Sequence, residues 1–406
     1  MPPCVSRCQS WNGDTQPRLG WGERYEGESS ILTFAYGGKT MKASFFCTNS
    51  YLSAEAFRHH AWPTPPALYR SEIGLRSLEV ALEQAKLAEE LGFDWVSCSE
   101  HHYTPLLQTP NANVFAAALS QVVRRARIAV LGPLVSMNNP VRIAEELAML
   151  DQLSGGRLVV LFLRGTPNEF LAYGTNPDET RGRTQEASVL ITRALTEPQP
   201  FGWEGRFYRF QTVAVWPGPI QRPHPPMYYS GNSLESATFA AAHRLGLGVS
   251  FYPPHLVAQM TAHYQQECDK HGWKPTPDQL LYRCFVAVGE DDKEAAALRA
   301  KYFVGDAIGD LFRGRGAAVS PPTQTQAGFG LGELRFCGSP DTVVRQITDF
   351  HETTGVGVVD VAFGGAGLSL QEAMQSMRLF ATEVLPRIRH IGAASQPETA
   401  VAAASA

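Results

Sequence analysis

Glu100, His101 and His102 follow one another directly after the short apolar run Trp95-Val96-Ser97-Cys98. A carboxylate beside two imidazoles is equipped for proton transfer, because histidine is the side chain whose unperturbed pKa lies near neutrality. Taken alone, the tripeptide reads more readily as polar residues at a strand end than as a site. A metal reading has a second pair to draw on, His59-His60. Neighbouring residues on a strand point to opposite faces, whereas paired ligands need to share one, two apart on a strand or four apart on a helix. Adjacent histidines meet neither spacing and no H-E-x-x-H occurs, so the metal reading is disfavoured.

Two further stretches could bind an anion. Arg164 follows the nearly continuous apolar run at 157–163, which places a guanidinium at the carboxyl end of a core strand, and Arg181 and Arg183 stand just downstream. Surface salt bridging is the plain alternative, and it sits less comfortably with Arg164. In Ser230-Gly231-Asn232-Ser233-Leu234-Glu235-Ser236, Ser233 reads as a helix N-cap and Ser236 as the third helical residue. Free backbone amides at a helix start bind phosphate, and two hydroxyls add donors. An ordinary cap explains that segment by itself; beside Arg164 and Arg181 from adjacent units, the phosphate reading gains ground.

The elements that must position these residues alternate. Strands are expected at 41–46, 95–98, 127–131, 157–163, 227–230, 247–251, 281–288 and 358–363. Leu78, Leu82, Ala85 and Ala88 fall on one face of a helix ending near Gly92, and Asn139 caps a helix that opens on Pro140. Further helices are expected near 179–195 and over 233–244, with an aromatic-rich excursion at 201–216. Eight strands with helices between them make an α/β chain of the (β/α)8 TIM-barrel type, in which chemistry gathers at the carboxyl ends of the strands. A doubly wound sheet fits less well, because no Gly-rich turn opens a helix after the first strand. The segment 305–333 is rich in Gly, Pro, Thr and Gln without a hydrophobic period. It reads as a lid over the barrel mouth or as plain disorder.

Bulk properties narrow the classes. The chain has 406 residues, 44% of them hydrophobic, and a net charge of −4. That balance gives no electrostatic reason to expect nucleic acid or an anionic membrane as partner. Seven scattered cysteines are an odd number, and free thiols fit a reducing cytoplasm. No run is long and apolar enough to span a bilayer, and residues 1–40 lack the apolar core of a signal peptide. Residues 1–40 read as a poorly ordered extension, 41–392 as the functional domain and 393–406 as a low-complexity tail.

In this order, the motifs resemble the bacterial luciferase-like flavin-dependent monooxygenases. The likeness runs from about Met41 to about Arg389. It includes Glu90-Leu-Gly-Phe-Asp-Trp-Val96, Ser99-Glu-His-His-Tyr103, Asn139-Pro-Val-Arg142, Leu150-Asp-Gln-Leu-Ser-Gly-Gly-Arg157, Leu163-Arg-Gly165, Tyr173-Gly-Thr175 and Cys337-Gly-Ser-Pro340. The resemblance implies a barrel with an insertion after the seventh strand. It implies reduced FMN as cofactor, supplied by a separate flavin reductase, and O2 as co-substrate. Oxygen would pass through a flavin C4a-peroxide to a small apolar organic compound. Arg164, Arg181, Ser233 and Ser236 would grip the FMN phosphate, with the Asn232 and Ser233 amides assisting. Glu100 would shape the flavin site against the strand ending near Gly132, and His101 would stand beside the reactive flavin edge. His102 is given no task. Family members often dimerise, so a homodimer is expected. A cis bond at Gly132-Pro133 would be the prolyl counterpart of one common in the family. Leu163 replaces a cysteine found in some luciferases, and the loop 47–73, with Trp62 and Tyr69, also departs from them. The first difference implies a relative rather than a light-emitting luciferase, and the loop would help set substrate choice. Trp62, Tyr69, Tyr103, Trp203 and Phe251 are candidate pocket aromatics. The alternatives are a deazaflavin-dependent oxidoreductase of the same fold, a metal-dependent barrel hydrolase and a flavin-binding homologue without catalysis.

Overall fold

The computed structural model describes residues 40–53, 62–302, 335–364 and 367–392. Among these, the strands are β1 (Lys42–Phe46), β2 (Trp95–Cys98), β3 (Arg127–Val130), β4 (Leu158–Phe162), β5 (Phe201–Glu204), β6 (Arg209–Val213), β7 (Met227–Ser230), β8 (Gly246–Ser250), β9 (Leu280–Val288), β10 (Phe336–Gly338) and β11 (Val358–Ala362). Eight of them form a closed parallel barrel in the order β1-β2-β3-β4-β7-β8-β9-β11, with β11 pairing back to β1. The eight strands read from the sequence are these eight, each within a residue of its expected ends. The aromatic excursion is the antiparallel hairpin β5–β6, and β10 adds to the edge of β9.

Strand alternation sorts the side chains. Val96 and Cys98 of β2 pack outward into the layer beneath the helices, together with Ile128, Val130, Val160 and Phe162. Trp95, Ala129, Val159, Leu161, Tyr228 and Leu281 point inward and plug the barrel. Two residues further along their strands, towards the carboxyl ends, the interior turns polar. Arg283 Nε donates to Asp360 Oδ2 at 2.6 Å, and Ser97 Oγ donates to Asp360 Oδ1 at 2.6 Å. The Arg283 guanidinium carbon lies 3.7 Å from the centre of the Phe46 ring. This buried pair ties β2, β9 and β11 together just below the barrel mouth.

The helices follow the strands. They are α1 (Ser71–Glu90), α2 (Ala112–Val122), α3 (Pro140–Leu153), the short α4 (Pro167–Ala172), α5 (Thr180–Thr196), α6 (Leu234–Ala242), α7 (Pro254–Lys270), α8 (Asp292–Tyr302), α9 (Pro340–Thr354) and α10 (Leu370–Leu379). Their starts carry the expected caps: Asn139 accepts from Val141 N at 2.9 Å, with Pro140 opening α3. In α1 the inward face is built from Ala81, Ala85 and Ala88, with Leu82 beside it. Leu78 is instead 38% exposed, because the buried stripe runs through Ser77 and Ala81.

The insertion follows β9, the seventh barrel strand, and comprises α8, residues 303–334, β10 and α9. The lid expected at 305–333 lies outside the described residues, as do the extension before residue 40, the tail from 393 and the His59-His60 pair. Gly132-Pro133 is not among the cis peptide bonds, which are Trp62-Pro63, Trp216-Pro217 and Arg222-Pro223 in the described residues.

Candidate active site

The carboxyl ends of β2, β3, β4 and β7 bring the candidate residues to one mouth. Glu100, His101 and His102 lie in the loop after β2, and Glu100 and His102 are buried. His101 Nδ1 is 2.9 Å from Glu169 Oε1, and Glu169 is 0% exposed. Glu169 was not singled out from the sequence. It comes from α4, where Thr166 is the N-cap and Glu169 the third helical residue, so the two form a capping box. Glu169 Oε2 accepts from Thr166 N at 2.8 Å and from the Thr166 hydroxyl. Burial alone would push this carboxyl up, but the hydrogen bonds from His101 and Thr166 outweigh it and hold Glu169 below the usual glutamate value. An ionised carboxylate only accepts, so Nδ1 of His101 carries a proton. The Thr166-x-x-Glu169 spacing was the readable signal.

His102 has a defined place. Its Nε2 stands 3.4 Å from Glu100 Oε1 and its Nδ1 3.3 Å from the Tyr173 hydroxyl, with the His102 and Tyr173 rings edge-to-face at 4.7 Å. Its backbone carbonyl accepts from Trp62 Nε1 at 2.7 Å, and Trp62 lies against Tyr103. Trp62 and Tyr103 therefore border the histidine loop. Trp203 does not: its Nε1 donates to Glu186 on α5 at 3.1 Å, and it packs with the outer layer. Phe251 stacks on Phe285 at 4.9 Å, and Tyr69 stacks on Tyr51 at 5.5 Å.

At the other side of the mouth, Arg164 follows β4. The Ser136 hydroxyl donates to its carbonyl at 2.6 Å. Its guanidinium meets solvent, yet protein atoms crowd it enough that desolvation lowers its pKa, and the nearby Arg181 charge adds to the effect. Among the described residues it makes no hydrogen bond or ion pair. Tyr252 and Tyr229 are close enough to feel its charge. Burial pushes the Tyr252 hydroxyl up to about 12 and the Tyr229 hydroxyl higher, while Arg164 pulls both the other way. Arg181 is paired with Glu235, so an anion reaching it competes with that carboxylate.

Ser233 is the N-cap of α6, accepting from Ser236 N at 3.2 Å, and the two hydroxyl oxygens are 2.9 Å apart. The Asn232 side chain accepts from Ser250 N at 3.4 Å. The backbone N–H groups of Asn232 and Ser233 donate to no described residue. Gly132 has φ +147°, and a Cβ there would lie 2.7 Å from Leu163 Cδ1 and 2.8 Å from Ser99 Oγ. Only glycine fits this turn.

Among the described residues, the arrangement combines an unpaired guanidinium, a helix start with free amides and a tight glycine turn packed on Leu163 and on a buried Ser99 hydroxyl that has no partner. A phosphorylated flavin fits these residues at its anionic end, where Arg164 and the α6 start can meet a phosphate. Among the described residues, no three His, Cys, Asp or Glu side chains come together as metal ligands would. Arg283 and Asp360 were also not singled out from the sequence. A charged residue inside the run Leu280-Leu-Tyr-Arg-Cys-Phe-Val286 was the available signal.

Residues 54–356 match the family model for luciferase-like monooxygenase. The chain is 35% identical to the uncharacterized protein y4wF of Sinorhizobium fredii, over 76% of this chain and 91% of that one. It is 24% identical to the alkanal monooxygenase alpha chain of Photobacterium leiognathi, over 80% and 96%. It is 26% identical to the oxygenase component of the flavin-dependent trigonelline monooxygenase of Acinetobacter baylyi, over 55% and 63%. Among solved structures, the monooxygenase RslO1 of Streptomyces bottropensis superposes with a TM-score of 0.68 at 28% identity, covering 85% of this chain and 99% of that one. The oxygenating constituent of 3,6-diketocamphane monooxygenase of Pseudomonas putida, in complex with FMN, has a TM-score of 0.66 at 19% identity, over 86% and 98%. An F420-dependent secondary alcohol dehydrogenase gives 0.65 at 19%, over 86% and 99%. The last two likenesses speak to the fold.

Proposed function

The chain belongs to the luciferase-like monooxygenase family, and from that premise we propose that it is a flavin-dependent oxygenase. In this reading it binds reduced FMN, uses O2 and oxygenates a small apolar organic compound. The observation that carries the reading is the Arg164 guanidinium, crowded by protein yet unpaired among the described residues. Its neighbours are Arg181 and the open N-terminus of α6. Reaching solvent at the carboxyl end of a core strand, it is available to an anion such as a phosphate.

The bound flavin supplies the redox chemistry with O2. The chain's own residues do the rest. Arg164, Arg181, Ser233, Ser236 and the Asn232 and Ser233 amides hold the phosphate. Gly132 holds the turn after β3 against Leu163 and Ser99 beside the ring site. His101, with Nδ1 committed to Glu169, moves a proton through Nε2. Glu100, held by His102, shapes the ring site. Phe46, Phe251 and Phe285 exclude water from it.

A separate flavin reductase as partner is supported by the relative named as an oxygenase component. Homodimer formation is supported by Leu75, Val114 and Met149, which expose large apolar side chains on the neighbouring helices α1, α2 and α3. Free buried cysteines such as Cys47, Cys98 and Cys284 support a cytoplasmic setting. No helix of the described residues is long and apolar enough to cross a membrane.

The F420-dependent neighbour gives the second reading, a deazaflavin oxidoreductase on the same barrel. Anaerobic fluorescence titration separates the two. Reduced FMN should bind more tightly than reduced F420. Binding of F420 with none of FMN would replace the first reading by the second.

A further inference from the structure

His101 and His102 are neighbours in the chain, and α4 grips both. Glu169 reaches His101 Nδ1 at 2.9 Å. Tyr173 ends α4 one helical turn beyond Glu169, and its backbone N–H donates to the Glu169 carbonyl at 3.0 Å. The Tyr173 hydroxyl stands 3.3 Å from His102 Nδ1, and the two rings meet edge-to-face at 4.7 Å. The other imidazole nitrogen, Nε2, stands 3.4 Å from Glu100 Oε1. Donors and acceptors along this line follow from their chemistry. A carboxylate oxygen accepts, so Nε2 of His102 carries the hydrogen. A neutral imidazole has one N–H, which leaves Nδ1 as acceptor and the Tyr173 hydroxyl as its donor. Partial burial raises the Tyr173 pKa, and the Glu100 charge adds to it, which keeps that hydroxyl protonated. His101 is the reverse case, with its hydrogen on Nδ1 towards Glu169. Two adjacent histidines thus hold opposite tautomers, and each is fixed from the same short helix.

We propose that Tyr173 is a positioning residue for the flavin site: its hydroxyl fixes the tautomer of His102, and His102 in turn holds the Glu100 carboxylate in place. The inference rests on the flavin reading above, in which Glu100 shapes the ring site. Without the Tyr173 hydroxyl, Nδ1 has lost its donor and the His102 hydrogen is no longer confined to Nε2. Glu100 then loses the N–H that orients it. Tyr173 is half exposed, so removing its hydroxyl leaves the barrel core as it was.

The test compares wild type with Tyr173→Phe, which keeps the ring and removes only the hydroxyl. Histidine nitrogen NMR of the ligand-free protein at neutral pH reads the tautomer, with the His102 signals identified by their loss in His102→Gln. Wild type should show His102 protonated at Nε2 alone, and Tyr173→Phe should show the hydrogen shared between the two nitrogens. Fluorescence titration with FMN and with riboflavin, which has the same ring and no phosphate, reads the site. Tyr173→Phe should weaken both ligands by the same factor, about fivefold for one neutral hydrogen bond. Arg164→Ala should weaken FMN and leave riboflavin alone. Wild-type His102 protonated at Nδ1 or at both nitrogens would overturn the assignment, whatever the flavins do. Unchanged His102 signals in Tyr173→Phe would make Tyr173 a packing residue and also overturn it. Altered signals with both ligands bound within about twofold of wild type would overturn it with the flavin reading intact. If wild type binds neither ligand, the flavin reading falls and the assignment with it.

Discussion

Nδ1 of His101 sits 2.9 Å from Oε1 of Glu169, a carboxylate fully buried under the barrel mouth and doubly bonded to Thr166 through its other oxygen. The pair joins the loop after β2 to the short helix α4 that follows β4. One imidazole nitrogen is thereby fixed as a donor, and the ring has one orientation. A histidine held this way presents a defined nitrogen for proton transfer, and the consequences can be measured.

Glu169→Gln keeps the shape but removes the charge that orders His101. Turnover should fall by about 10²-fold, the lower range for a misplaced acid–base group, while FMN affinity stays within about twofold. Histidine nitrogen NMR should show the His101 Nδ1 signal altered in the variant. Unchanged turnover with an altered signal would show that the pair is structural only.

The same carboxylate gives a pH prediction. Burial raises the Glu169 pKa, but the His101 and Thr166 hydrogen bonds prevail and bring it below the unfolded value of 4.5. A depressed folded pKa contributes stability that is present above 4.5 and is lost as pH falls through the folded value. Denaturant unfolding at a series of pH values should therefore show an acid limb below that point, shallower in Glu169→Gln than in wild type.

Arg164→Ala should weaken FMN by about 10- to 100-fold, the loss expected for charge-assisted hydrogen bonds of roughly 1.5–3 kcal/mol. The wild-type affinity should fall with added salt, and the variant's should depend on salt less steeply. Isothermal titration at two ionic strengths checks both.

Asp360→Asn leaves Arg283 buried against Phe46 with its countercharge gone. Breaking a buried pair from one side costs about 3–5 kcal/mol, so the urea midpoint should drop sharply. Arg283 is 6% exposed and Asp360 0%, which leaves little room for water to compensate.

Gly132→Val should disturb both the fold and the proposed ring site. The new side chain meets Leu163 and Ser99 at a φ of +147°, a conflict of about 1–3 kcal/mol. The strand ends it displaces border the proposed ring site, so flavin binding should weaken along with the fold, seen as a lower Tm and a smaller fluorescence change on titration.

The barrel was legible because strand alternation is local. In Leu158-Val-Val-Leu-Phe162 both faces are apolar, and both faces are buried. The places of Arg164, Ser233 and Ser236 at the end of β4 and the start of α6 were legible because sequence order carries such positions directly. Glu169 was harder to find because its role depends on a contact with His101, 68 positions away. Its local sign, the capping box, announces a helix start and says nothing of the imidazole. Arg283 and Asp360 met the same limit, since the pairing of β9 with β11 exists only once the barrel closes. Leu78 erred for a local reason: Ser77 can turn inward because its hydroxyl bonds the Ile73 carbonyl at 2.7 Å, which shifts the buried stripe by one position.

The central claim is that this barrel binds reduced FMN and directs its reaction with oxygen. Rapid mixing of the anaerobic complex with air-saturated buffer, followed by visible absorbance, tests it most directly. The account predicts a transient spectrum unlike either oxidised or reduced FMN, in wild type and in His101→Ala, with turnover of substrate lost in the variant. Reoxidation at the rate of free reduced FMN, with no transient and no effect of the protein, would contradict it.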